Sequence, residues 1–175
     1  MLLDGSNWRA YFDAMEQDAW RLETHPVYTM PQEEDALLRF LDGEAVTTAD
    51  TAAWTTRVKG YLNTGRTVGR VHVITRPLTD YLRFEFAHYK HNVEAGEDVR
   101  ILDLTDRANP GLPEQDFWIF DDIRIVLMNY RPDGTQINRE IFGGNPQSYV
   151  EWKRLAVAES VPFLEYVGEY ELSDE

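Results

Sequence analysis

A mixed α/β fold is predicted by three features of the chain. Arg70-Val71-His72-Val73-Ile74-Thr75 and Val99-Arg100-Ile101-Leu102 read as strands on either side of a helical stretch, a βαβ unit with parallel neighbours and a right-handed crossover. Asp116-Phe117-Trp118-Ile119-Phe120-Asp121-Asp122, followed by Ile123-Arg124-Ile125-Val126-Leu127-Met128, reads as two strands joined by a tight acidic turn. Amphipathic helical segments flank both. A mixed central sheet with a C-terminal hairpin or meander and covering helices accommodates all three.

The elements follow in order. Ser6 is the expected N-cap of a first helix, with Trp8, Phe12, Met15 and Ala19 on one face. Trp20-Arg21-Leu22-Glu23 alternates apolar and charged residues, a short strand that Pro26 stops. A second helix is expected from Gln32 to Leu41, with Gly43 past its end. A third starts near Asp50, carries Trp54, Val58, Tyr61 and Leu62, and stops at Gly65. Pro77 suits the first turn of the crossover helix, where Leu78, Tyr81, Leu82, Phe86 and Tyr89 keep helical spacing. Leu82, Phe84 and Phe86 also alternate, so periodicity leaves a strand open there. Pro132-Asp133-Gly134-Thr135 marks a turn before a strand over Gln136–Phe142, and Asn145 and Pro146 open a final helix with Tyr149, Trp152 and Ala156 inward. The chain reads as a single domain over residues 1–175, with a core from 6 to 160 and an acidic, partly frayed tail from 161 to 175.

Composition narrows the functions. With 31 acidic against 17 basic residues the formal charge is −14, which repels phosphate backbones and argues against direct nucleic-acid binding. There is no cysteine, so disulfides, thiolate metal sites and a Cys nucleophile are excluded. No signal-peptide pattern opens the chain and no apolar run is long enough for a membrane helix, so a cytoplasmic protein with no membrane partner is expected. Of the 175 residues, 13% are aromatic, enough for much of the core to be built from rings.

Several residues could carry chemistry. His88-x-x-His91 with Glu94 has metal-like spacing, but without a fourth ligand it reads as surface histidines, and no metal or other cofactor is expected. Asp116, Asp121 and Asp122 form the densest carboxylate group, although Asp121-Asp122 is also ordinary hairpin-turn composition. Arg70, Arg76, Arg83 and Arg100 could grip an anion, or pair internally with Asp80, Glu85, Glu97 and Asp98. Phosphate-binding, dinucleotide-binding and nucleophile-elbow motifs are absent from the sequence.

Ala19–Glu23, Pro77–Glu85, Ala95–Arg100 and Asp116–Asp122 together resemble an actinobacterial domain-of-unknown-function family with a D-F-W-x-F-D-D signature. The resemblance spans roughly residues 6 to 160 and implies a regulatory or accessory role, since such proteins often neighbour helix-turn-helix regulators in differentiation or antibiotic-related gene sets. More distantly, the chain resembles one half of the phospholipase-D-like fold. Gly96–Arg100 matches the approach to that fold's H-x-K-x-x-x-x-D motif. With Asp122 in the aspartate position, Gln115 and Phe117 stand where His and Lys belong; with Asp121 there, Glu114 and Asp116 do. The resemblance therefore implies a scaffold without its phosphodiesterase reagents.

The resulting expectation is a non-catalytic ligand- or protein-binding module. Its partner would be a small molecule or a helix-turn-helix regulatory protein, and a homodimer is a further expectation. Trp54, Tyr81, Phe117, Trp118 and Phe120 would line a cavity, with Arg83 or Arg100 orienting a ligand and Asp116, Asp121 and Asp122 nearby; the rings could equally fill the core. The alternative is a small enzyme of secondary metabolism using Asp116, Asp121 or His88 with an arginine.

Overall fold

Three strands form the centre of a computed structural model that describes residues 1–170. They are β1 (Asp18–Glu23), β2 (Thr67–Ile74) and β3 (Asp98–Asp103), running parallel with Arg21 opposite Arg70 and Val71 opposite Arg100. The crossover from β2 to β3 is the helix α4 (Asp80–Ala95), so the ambiguous Leu82–Phe86 stretch is helical. Thr79 caps it through a side-chain bond to the Leu82 N–H, and Gly96 ends it at a φ of 108°. Pro77 lies ahead of the helix, not in its first turn, joined to Arg76 by a cis bond.

An antiparallel meander extends the sheet from β1: β4 (Asp116–Phe120), β5 (Arg124–Tyr130) and β6 (Gln136–Phe142). A two-residue strand, β7 (Val161–Pro162), closes the other side, giving the order β6-β5-β4-β1-β2-β3-β7. The β4–β5 connection is the expected acidic turn, with Asp121 and Asp122 at φ values of 55° and 57° and the Ile123 N–H returning to the Phe120 carbonyl.

Among the described residues, helices cover both faces of the sheet. The helix α5 (Gln147–Glu159) packs alone on one face, over Trp20, Leu22, Val71, Phe117 and Ile119. The opposite face is covered by α1 (Gly5–Asp13), α3 (Thr48–Asn63), α4 and α6 (Phe163–Tyr170). A further helix, α2 (Glu34–Leu41), follows a 3-10 turn at Pro31–Glu33 and lies against the outer side of α4. The helix α3 opens on a full capping box between Thr47 and Asp50.

Three sequence expectations are corrected. The first helix is preceded by Asp4 with no side-chain cap, so Ser6 sits inside it, and it ends at Asp13, which puts Ala19 in β1. From Val161 to Tyr170 the tail is folded: Phe163, Tyr166 and Val167 are buried against Phe86, Tyr89 and Ile101, while Glu165 and Glu169 face outward. Residues 171–175 lie outside the described residues.

Candidate functional site

Strand alternation places polar side chains on one face of the central strands. In β1, Trp20 and Leu22 point toward α5, so Arg21 and Glu23 point toward α3 and α4. Arg70 and His72 in β2, and Asp116 and Trp118 in β4, share that face. Buried charge must be paired to be tolerated. Arg70 is satisfied by both neighbouring acids: its Nη1 donates to Glu23 Oε1 at 2.8 Å, and its Nε and Nη2 donate to the two oxygens of Glu97 at 2.6 and 3.0 Å. Trp54 Nε1 donates to the same Glu97 carboxylate at 2.6 Å. Burial pushes the Glu23 carboxyl upward, but the charges of Arg21, Arg70 and His72 overcome it and hold its pKa at about 2.

Around this ionic centre stand three carboxyl groups of the opposite tendency. Burial raises the pKa of Glu33, Glu85 and Asp116. Tyr81 Oη lies 2.9 Å from Glu33 Oε2 and 2.5 Å from Glu85 Oε1. One hydroxyl carries one proton, so it cannot donate to both; the geometry is satisfied when one carboxyl is protonated and donates to Tyr81. Asp116 accepts from Tyr28 Oη, from the Thr24 N–H at 2.9 Å and from the Thr24 hydroxyl at 2.6 Å. His72 is fully buried between Tyr89 Oη at 2.8 Å and the His25 carbonyl at 2.9 Å.

Between the sheet face and the helices is a cavity of about 520 Å³. That volume falls within the range of metabolite sites. Its floor includes Arg21, Arg70 and Trp118; Trp54 and Arg57 from α3 and Tyr81 and Glu85 from α4 wall one side. Tyr130, Gln136 and Arg139, from β5 and β6, wall the other. The Arg21 guanidinium lies 5.6 Å from the Tyr28 ring and 5.7 Å from that of Trp118. Arg57 lies 4.6 Å above Phe12, and Arg139 lies 5.1 Å from Trp8. Among the described residues, Arg21 Nε, Gln136 Nε2 and Arg139 Nε are shielded from solvent with no hydrogen-bond acceptor. Burial and the nearby positive charge of Arg21 lower the Arg139 pKa, partly countered by Tyr130.

Of the residues singled out in the sequence, Trp54, Tyr81 and Trp118 meet at this cavity. Asp116 lies beside it, behind Tyr28. Arg83 is elsewhere, 3.4 Å from Asp80 on the outer side of α4. Arg100 faces away and donates to Ser160. Asp121 accepts the N–H groups of Glu16, Gln17 and Asp18 at 2.9, 2.7 and 3.0 Å, and Asp122 pairs with Lys153 at 2.8 Å. Asp121 and Asp116 flank opposite ends of β4, roughly 16 Å apart at the usual strand rise. His88 borders the cavity but its Nδ1 is bonded to the Phe84 carbonyl, and His91 Nε2 meets the Val46 carbonyl; neither shares a metal-like cluster among the described residues.

Sequence reasoning missed Arg21, Glu23, Glu33, Gln136 and Arg139 as site residues. The available signal was the charged half of the alternation in β1 and β2. Strands in the middle of a parallel sheet are ordinarily apolar on both faces, so Arg21, Glu23, Arg70 and His72 at such positions mark a polar interior.

The chain belongs to the family described as domain of unknown function (DUF6879), whose sequence profile matches residues 6–168. No curated protein matches it. Among the described residues, no helix is long and apolar enough to cross a membrane.

Proposed function

Taking membership of that family as the premise, we propose that the chain is a non-catalytic module that binds a small molecule in the cavity over β1, β2 and β4. One observation carries this reading: Arg21, Gln136 and Arg139, each with a side-chain N–H that has no acceptor, all line one cavity, in a molecule that pairs Arg70 there with two acids. An unmatched buried donor costs about 1–3 kcal/mol, a cost that an acceptor-bearing ligand removes. Asp121 does not join Asp116 in an acid–base pair: it holds a loop at the other end of β4. The role fits regulation or accessory binding beside a helix-turn-helix protein, as the motif resemblance implies.

Native mass spectrometry of the chain purified from cell extract, followed by thermal melting with the recovered compound, tests the reading. A ligand present at a hundredfold excess over Kd stabilises by about 2.7 kcal/mol, or roughly 5–10 °C for a chain of this size. A compound bound in the cavity should also change the fluorescence of Trp54 and Trp118. Turnover of any recovered compound would overturn the non-catalytic assignment.

A further inference from the structure

We propose that the ligand of this cavity is a small ring-bearing carboxylate, its carboxylate held by Arg21 and Arg139 with help from Gln136. This rests on the preceding reading of the cavity as a ligand site and names the chemistry that the site selects.

Arg21, Gln136 and Arg139, which line the cavity, each keep a side-chain N–H donor with no acceptor among the described residues, so the partner that this lining lacks is an acceptor. Their charge makes that acceptor an anion. Arg139 and Arg57 have no carboxylate within ion-pair distance among the described residues, although the chain carries 31 acids against 17 bases. The nearest carboxylate to Arg21 is Glu23 at 3.8 Å, and Glu23 is already engaged by Arg70 at 2.8 Å. Arg21 and Arg139 also lie on one face of the sheet, near enough to repel each other. Two like charges held together in a protected site are relieved by an anion between them.

The aromatic rings explain the flat body. Tyr28 and Trp118 flank Arg21, and Trp8 supports Arg139, while Arg21 Nη2 donates to Tyr130 Oη at 3.0 Å, a neutral partner that leaves the guanidinium charge unmatched. The planar edge of a guanidinium matches a carboxylate bidentately. Trp54 and Tyr81 supply apolar area on the far wall. The acids that border the cavity are each engaged: Glu23 pairs with Arg70 at 2.8 Å, Glu33 and Glu85 both bond Tyr81 Oη, and Asp50 is paired with Arg39 at 2.7 Å.

Calorimetry and ligand-observed NMR with benzoate, 2-naphthoate and indole-3-acetate, each beside its amide and its amine, test the class. At least one acid should bind tenfold or more tightly than its own amide and amine. Arg139→Gln should lose at least tenfold of that affinity while Arg131→Gln, an exposed control, keeps it. Arg21→Lys, with its charge kept and its fork removed, should lose affinity too, and unchanged urea midpoints establish that the variants fold. Amides or amines binding as tightly as the acids would overturn the anion while leaving the cavity reading standing. Phenyl phosphate binding tenfold more tightly than benzoate would overturn the carboxylate. If none of the nine compounds binds, the carboxylate falls; if native mass spectrometry also finds no bound compound, the cavity reading falls with it.

Discussion

Arg21 and Arg70 stand directly opposite each other in the parallel β1–β2 register, with both side chains on the same buried face. Two like charges at neighbouring positions in a sheet are destabilising unless something lies between them. Glu23, one step further along the same face, reaches both: 2.8 Å to Arg70 and 3.8 Å to Arg21. Glu23→Gln keeps the shape but removes the charge that both guanidinium groups face. A loss of about 3–5 kcal/mol is expected, as for other buried pairs broken on one side. Urea unfolding should show the midpoint falling with little change in slope. A change below about 1 kcal/mol would mean that water, and not Glu23, compensates the two arginines.

The carboxyl groups predict how stability varies with pH. Burial raises Glu33, Glu85 and Asp116 above their ordinary values, so the folded chain binds protons that the unfolded chain has released. Stability from these groups is therefore lost as pH rises from the ordinary carboxyl range toward the folded-state values. Glu23 works in the other direction: held at about 2 against an ordinary 4.5, it stabilises above 4.5 and loses that contribution as pH falls toward 2. Glu85→Gln, which keeps a donor for Tyr81 but cannot ionise, should flatten the decline on the alkaline side. Its melting temperature relative to the native chain should improve as pH rises above the ordinary carboxyl range. Parallel profiles above that range would place the titrating proton elsewhere.

Asp121 is expected to be structural. Burial pushes its carboxyl upward, yet three backbone donors from Glu16 to Asp18 and the Arg124 charge win and hold it low. The side chain thereby pins the link between α1 and β1 to the β4–β5 turn. Asp121→Ala should cost about 1.5–3 kcal/mol, the scale for hydrogen bonds to a charged acceptor. The affinity of the cavity for its ligand should not move. A selective loss of binding with stability preserved would restore Asp121 to the list of site residues.

Gly134 should tolerate no side chain. It sits at a φ of 87°, and a Cβ there would lie 2.4 Å from the Val27 carbonyl oxygen and 2.9 Å from Tyr28 Cα. The obstacle is backbone, so a rotamer change cannot relieve it. Gly134→Ala combines left-handed strain with overpacking, about 2–4 kcal/mol together. It should also push Tyr28 away from Asp116. Thermal melting and the near-ultraviolet tyrosine signal would register the two effects, and a variant matching the native chain in both would contradict the close approach.

Much of the scaffold was legible because local chemistry and tertiary packing agree. The β4–β5 hairpin follows from aromatic and β-branched runs around two aspartates that tolerate positive φ. The opening of α5 follows from Asn145, whose side chain accepts the Gln147 N–H at 2.9 Å. Elsewhere packing overrode the local signal. Val161–Tyr170 is acidic enough to read as solvated, yet Phe163 and Tyr166 find a finished groove beside α4. The cavity was harder still. Alternation in β1 reveals two faces without saying whether helices will cover the charged one, and here they cover both. Arg21 and Arg139 lie 118 positions apart, and only the register through β4, β5 and β6 brings them to one cavity.

The outer border of β6 is guarded at both ends. Met1 and Leu3 exchange backbone hydrogen bonds of 2.8 Å with Ile141 and Arg139, and Thr29 bridges Thr135 beside the Gly134 turn. A neighbouring molecule seeking to continue the sheet from that side would have to strip off the first three residues and the Thr29 contact. In doing so it would loosen the very strand that presents Gln136 and Arg139. Growth of the sheet through this border therefore competes with the contacts that brace the cavity wall.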